Sequence, residues 1–588
     1  MSGHDDDIIV GKAYDAVLMR RLMGYLRPYR LAVLAAFAAI VSASVLQLAQ
    51  PYLMKLAIDR YIATRDLAGM DRIALLFLGI LLGSFALEFV QTYVLQRTGQ
   101  RIMFDLRAQI YGHLQRLDVA YYDRNPVGRL MTRVTTDVDA LNDLFTSGVV
   151  SVFGDIFTLA GIMIVLLAMD WRLALVTFSV LPLIVVITQW FRRHVRDSYR
   201  TVRTWIARIN AFLQENITGM ATVQLFGREA RNLQQFRDIN GRHRDANIAS
   251  IFYYAVFYPA IEIVGALATA VIIWWGGGWV LAGTLTLGSL VAFIQYSQRF
   301  FRPISDMSEK FNLLQSAMAA SERIFTLLDT RVAVVSPASP TRAEWRGHVR
   351  FEHVWFAYDG DHYVLRDVSF EVRPGQRVGI VGATGAGKST IINLLLRYYD
   401  VSRGRILVDG VDIRDIDLGD LRRRFSLVLQ DVHVFSGTIG GNVRLGNPEI
   451  GEDQVRRALE AVHADRFVDA MPLGAATPVA ERGATLSTGQ KQLLSFARAL
   501  AFDPRILVLD EATSSIDTET EVLIRDALQV LMAGRTTIAI AHRLSTIQDM
   551  DTILVLHKGQ LRESGSHQEL LAQRGLYHRL YQLQYVTS

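Results

Sequence analysis

Apolar residues gather in long runs over residues 1–330, whereas over 331–588 they alternate with polar ones as in an ordinary α/β domain. A helix crossing a bilayer needs about twenty mostly apolar residues. Leu31–Met54 and Leu173–Phe191 carry no charge. Ile73–Gln96 carries only Glu88, and Leu144–Met169 only Asp155. From Ala246 to Gln298 the one charge is Glu262. The run Trp274-Trp275-Gly276-Gly277-Gly278-Trp279 is expected to split this last region, its aromatics suiting a membrane interface. The pattern predicts six spanning helices.

The basic residues orient them. The loop Arg97–Asp143 carries Arg97, Arg101, Arg107, Arg116, Arg124, Arg129 and Arg133, and the loop Arg192–Arg244 is richer still. The Asp170-Trp171-Arg172 turn has one arginine and 276–284 none. By the positive-inside rule both long loops, the N-terminus and, after six spans, the C-terminal domain face the cytoplasm. Apolar residues recur at helical spacing around Leu106–Tyr111 and Ile206–Phe226, so the loops are expected to extend the spanning helices. Before the first span, Val17, Leu18, Leu22, Tyr25 and Leu26 share one helical face beside Arg20, Arg21 and Arg27. That face suits an interfacial helix or a soluble amphipathic one.

Composition fits this division. The 588 residues exceed one core, 51% are hydrophobic and the mean hydropathy is +0.22. The net charge of +5 lies in arginines between apolar spans, which matches membrane topology and not nucleic-acid binding. The chain has no cysteine, so disulfide and thiol chemistry are excluded. Asp5-Asp6-Asp7 near the start argues against a cleaved signal peptide. The linker-like stretch Asp329–Arg342, with Ser336-Pro337-Ala338-Ser339-Pro340, separates a membrane domain, 1–330, from a second domain, 331–588.

The second domain carries the chemistry. "VGATGAGKST", Val381–Thr390, follows a β-like run and precedes an apolar helix. Its spacing, Gly382-x4-Gly387-Lys388-Ser389, is that of a phosphate-cradling loop. Glycines at 382, 385 and 387 let backbone N–H groups of the loop Gly382, Ala383, Thr384, Gly385, Ala386 and Gly387 converge on an anion. The helix N-terminus at Lys388, Ser389 and Thr390 adds its dipole. Lys388 can reach the β- and γ-phosphates, and the Ser389 hydroxyl can hold Mg²⁺. "ILVLDEATSS", Ile506–Ser515, is an apolar strand ending in two acids. Asp510 is placed to orient the metal and Glu511 to polarise an attacking water.

"TLSTGQKQ", Thr485–Gln492, opens a helical run and resembles the signature of ATP-binding-cassette (ABC) proteins. With the phosphate loop and the Asp510-Glu511 strand in this order, the resemblance covers essentially the whole chain. It implies an α-helical transmembrane domain of six helices fused to an α/β P-loop cassette. It also implies roles for single residues. Gln430 in "LVLQD" matches the glutamine linking metal site and membrane domain, His542 in "IAHRLST" the γ-phosphate histidine, and Asp517 in "SSID" the loop crossing between cassettes. Tyr358 matches the aromatic that stacks on adenine. Ser487, Thr488, Gly489 and Gln490 would meet the nucleotide of a second cassette. Thr488 departs from the usual glycine, and its branched side chain could crowd the γ-phosphate.

Every motif occurs once, so the resemblance implies half of a dimer with ATP held head to tail between two cassettes. "YYDRNPVGRL", Tyr121–Leu130, and "ENITGMATVQLFG", Glu215–Gly227, match the contact loops of ABC exporters. The stretch Arg482–Glu521 is similar to bacterial heterodimer subunits, while retained Glu511 suits either pairing; the symmetric homodimer is the default. The expected activity is ATP-driven export of amphipathic compounds across a bacterial inner membrane. Lipid flipping, as in lipid-A exporters, is the nearest rival, and an ATP-gated channel or sensor on this fold is a rival of another class. A soluble DNA-acting ATPase is excluded by the spans. Glu88, Asp155 and Glu262, costly at membrane depth, are candidate contacts for cationic cargo or structural hydrogen-bonding groups.

Overall fold

The computed structural model describes residues 15–341, 344–510, 518–540 and 547–586. The chain forms two compact units. One takes residues up to Gln115 and Val127–Thr330, the other Arg116–Pro126 and everything from Arg331.

The first unit is helical. Among the described residues five helical stretches are long and apolar enough to cross a membrane: Arg27–Ile62, Leu67–Leu114, Val152–Met169, Trp171–Thr218 and Glu229–Leu281. The sixth expected span falls on the helix Leu287–Leu328, which is not among the five; past Gln298 its sequence turns charged. Leu75, Phe85 and Trp274 are at least 70% exposed. Apolar surface on this scale needs a covering that water does not supply, and lipid does. Leu67–Leu114 runs unbroken for 48 residues and carries the run Leu106–Tyr111, whereas the run Ile206–Phe226 extends the helix Leu181–Thr218 only to Thr218, breaks at Gly219 and resumes in the short helix Met220–Leu225.

The expected break at the glycine–tryptophan run is displaced. The helix continues through Gly276–Gly278 and ends at Leu281, with Gly283 turning the chain at φ +73°. Gly276 serves packing instead. A Cβ there would lie 2.7 Å from Leu290 Cδ1 and 3.2 Å from Leu173 Cδ2. Small residues let membrane helices approach this closely.

Polar contacts add register. Ser44 and Thr158 share a hydroxyl hydrogen bond of 3.2 Å. Asp155 forms an ion pair with Lys310, both side chains mostly buried. Pro51 sits inside the helix Arg30–Leu56 and has no N–H, so the Gln47 carbonyl loses its helical donor. Arg299 Nη1 donates to that carbonyl at 2.6 Å, and the Tyr296 hydroxyl donates to the Leu48 carbonyl at 2.5 Å. Farther along the same two elements Asp59 accepts from the Thr286 hydroxyl (2.6 Å) and the Gly288 N–H (2.7 Å). The short helix Ala16–Gly24 starts at Asp15, whose carboxylate accepts the Val17 and Leu18 N–H groups. Leu22 is buried and Val17 exposed. Arg21 forks onto Asp329 at 2.6 and 2.7 Å and lies 4.2 Å over the Phe325 ring. The helix thus spends its central face on protein.

The second unit is built on two large sheets, with a two-stranded one, Gly437–Thr438 and Pro478–Val479, beside them. Val349–Ala357 pairs antiparallel with Tyr363–Val372 and with Arg403–Val408. The six-stranded sheet runs in the order Gln560–Gly565, Thr552–His557, Arg377–Val381, Thr536–Ile540, Ile506–Asp510, Phe425–Val428. All pairs after the first are parallel. Thr536–Ile540 is wholly buried and Ile506–Leu509 likewise, as strands covered on both faces must be. Two apolar cores result. One joins Ile391, Leu394, Phe351 and Val508; the other joins Leu486, Leu493, Leu507 and Ala539.

Candidate functional site

The carboxyl ends of the parallel strands carry the site, as such sheets require. Arg377–Val381 leads directly into the loop 382–387 and the helix Lys388–Leu395. Gly382 must be glycine, because a Cβ would stand 2.3 Å from the Leu556 carbonyl oxygen. Gly385 and Gly387 take φ of +80° and +101°, in the left-handed region. Gly387 is the helix N-cap and offers no side-chain acceptor. The first N–H groups of the helix are therefore left for an anion. The loop is tied down from behind, Ala386 N–H to Ala383 O (3.0 Å) and Gly559 N–H to Ala386 O (3.2 Å).

Lys388 is 7% exposed and its Nζ donates to the carbonyls of Gly382 (2.8 Å) and Ala383 (3.2 Å). Burial holds its pKa below the ordinary lysine range, and the Asp510 charge pulls the other way. Ala383, Thr384 and Ser389 are exposed, while Thr390 is buried beneath. Asp510 ends the strand Ile506–Asp510, whose Leu509 pairs with Val428 of the neighbouring strand. Gln430 lies on the bend just beyond Val428 and is exposed. Ser389, Gln430 and Asp510 carry a hydroxyl, an amide oxygen and a carboxylate, hard-oxygen donors of the kind Mg²⁺ takes.

Tyr358 closes one side. Its hydroxyl donates to Thr390 Oγ1 at 3.2 Å and accepts from Asn393 Nδ2 at 3.4 Å. Its ring stands edge-on to Phe356 and Tyr399, at 4.8 and 5.1 Å between centroids. The short helix Val119–Arg124, from the first loop matched to a contact loop, reaches this same corner. Arg124 Nη2 donates to the Tyr358 carbonyl at 3.0 Å and to Asp359 Oδ1 at 3.3 Å. The Tyr399 hydroxyl donates to Asp123, and burial, then this bond, raises its pKa. Sequence reading finds the loop but not Tyr399 or Asn393. Only the pair Tyr398-Tyr399 after the phosphate-loop helix hints at them.

Ser487 caps the helix Thr488–Ala501 through a capping box. Its hydroxyl accepts the Gln490 N–H (3.2 Å), and Gln490 Oε1 accepts the Ser487 N–H (2.9 Å). Thr488 is exposed and Gly489 buried. Leu486 and Leu493 anchor this segment in one core, whereas the phosphate-loop helix packs in the other. The structure brings the loop 382–390, Tyr358, Gln430 and Asp510 to one sheet end and leaves the signature on a separate core. Glu511, Asp517 and His542 lie outside the described residues. In the first unit Glu88 and Glu262 are exposed, while the Asp155 charge is met by Lys310.

Two family models match the chain. Residues 33–304 match the ABC transporter transmembrane region, and 365–514 match the model described as ABC transporter. A probable multidrug resistance ABC transporter of Bacillus subtilis is 38% identical over 88% of this chain and 77% of its own length. An ATP-dependent lipid A-core flippase of Syntrophus aciditrophicus is 34% identical over 97% of this chain and 94% of its own. A solved bacterial Atm1-family ABC exporter with ATP bound superposes with a TM-score of 0.77 at 29% identity, covering 97% of this chain and 99% of that one.

Proposed function

The chain belongs to the ABC transporter family, with an exporter-type membrane domain and an ATP-hydrolysing cassette, and we propose that it expels amphipathic compounds by alternating access. The carrying observation is one polypeptide that holds both a phosphate loop at the end of a buried parallel sheet and helices long and apolar enough to cross a membrane. The loop N–H groups and Lys388 bind the triphosphate, and Tyr358 stacks on its base. Ser389, Asp510 and Gln430 would hold Mg²⁺, which supplies charge neutralisation between the β- and γ-phosphates. Glu511 orients the attacking water and His542 contacts the γ-phosphate.

Ser487, Thr488, Gly489, Gln490 and Asp517 act on the nucleotide of a second chain, so the working form is a dimer, a homodimer by default. Placement of the signature on a core apart from the phosphate loop supports this. Exposed Ile217, Leu225 and Phe226 on the second contact loop suit docking on a partner cassette. The protein sits in the bacterial inner membrane with the cassette and N-terminus in the cytoplasm, an orientation that the arginine-rich loops support. Glu88 and Glu262 are the exposed acids available to cargo; Asp155 is engaged by Lys310.

Lipid flipping is the second reading, favoured by the similarity to the protein named a lipid A-core flippase. The test is Glu511→Gln in proteoliposomes with a dye panel and a labelled lipid. ATP binding should persist while turnover falls at least about a hundredfold, and transport should stop. Wild-type turnover in this variant would overturn the role of Glu511; transport of labelled lipid but no dye by the unaltered protein would select the flippase.

A further inference from the structure

Within the membrane unit one cation is conspicuous for what does not face it. Arg299 lies about 18 Å along its helix from Leu287. It meets the helix Arg30–Leu56 inside the charge-free run Leu31–Met54. Nη1 donates to the Gln47 carbonyl freed by Pro51, at 2.6 Å, and Nη2 to Gln50 Oε1 at 2.7 Å. Both acceptors are neutral. A guanidinium offers five N–H donors, and these bonds use two.

Three other cations in this unit have acids: Lys310 has Asp155, Arg323 has Asp137 and Arg21 has Asp329. Among the described residues no carboxylate pairs with Arg299. Its side chain is exposed, and beside Gln50 the Tyr52 ring is exposed as well. A guanidinium turned toward hydrocarbon is costly, so the open side must border a wet cavity. Positive charge with spare donors in a planar fork, next to aromatic surface, matches one ligand chemistry: an anionic head group on an apolar tail.

Building on the export reading, we infer that Arg299, with Gln47 and Gln50 fixing its plane, is a head-group site for anionic amphipaths. This departs from the cationic cargo that the intramembrane acids suggest by sequence. Asp155 is already neutralised, and Glu88 and Glu262 sit on other helices. A purely structural role, bridging the proline-freed carbonyl, needs a donor at this position and not a charge.

The experiment uses the full chain in vesicles of zwitterionic lipid, with ATP turnover measured against hexadecanoate, hexadecyl phosphate, hexadecanol and hexadecyltrimethylammonium. Wild type should respond to an anionic tail at a concentration about tenfold or more below the ammonium tail. The carboxylate and phosphate arms tell a fatty-acid-like cargo from a phospholipid-like one. Arg299→Lys, which keeps the charge, should retain the preference, and Arg299→Gln, which keeps a donor alone, should lose it. A preference surviving Arg299→Gln, or a wild type preferring the ammonium tail, overturns the inference and leaves the export reading standing. Response to no tail of any charge overturns the export reading, and this inference with it.

Discussion

At the scale of single residues, Lys388 shows how the fold sets chemistry. Its amine is buried against the loop it belongs to, and burial outweighs the pull of Asp510. The charged form is therefore surrendered at a lower pH than in an ordinary lysine, near 10.4. Since kcat/KM reports the free enzyme, its value for ATP should fall as pH rises through that depressed range. A flat profile up to about pH 10 would show that the ammonium is not held down. The spacing of the loop is enough to single out Lys388, Gly382 and Gly387. It does not reveal that the Leu556 carbonyl forbids a Cβ at Gly382, because that neighbour lies far along the chain. Tyr399 is hidden for the same reason: its meaning comes from Asp123 in a distant loop.

Helices and strands are the most legible level. Runs of apolar residues predict the spanning helices because lipid demands length and hydrophobicity together. The buried run Ile506–Leu509 reads as a central strand because both its faces are covered. The break expected near Trp279 is misplaced, since glycine marks a turn and a close helix contact alike, and Gly276 is the second kind. The pairing of Asp155 with Lys310 has no local signal either. It makes a clear prediction. Asp155→Asn strands a mostly buried ammonium and should cost about 2–4 kcal/mol, read as a lower unfolding temperature in detergent. Replacing both, Asp155→Leu with Lys310→Met, should recover most of that loss. If the double variant is no better than the single one, the pair is not what stabilises this crossing.

At the scale of the whole molecule the prediction concerns division of labour between two chains. If the phosphate loop of one chain serves the signature of the other, as proposed, Lys388→Ala and Ser487→Arg should each abolish turnover in a homodimer. Co-assembled, they leave one composite site with both halves intact. Mixed assemblies should then regain ATP hydrolysis, up to about half of wild type if the sites fire independently. Purification through two different tags isolates them. No recovery would rule out two shared sites that fire independently. The path of the backbone has a consequence too. Between Gln115 and Val127 the chain leaves the helical unit, lends Arg116–Pro126 to the cassette and returns before the final departure at Arg331. A proteolytic nick in the segment after Arg331 would thus sever only one of three covalent strands, and the cassette would stay gripped by the eleven-residue loan it had already received.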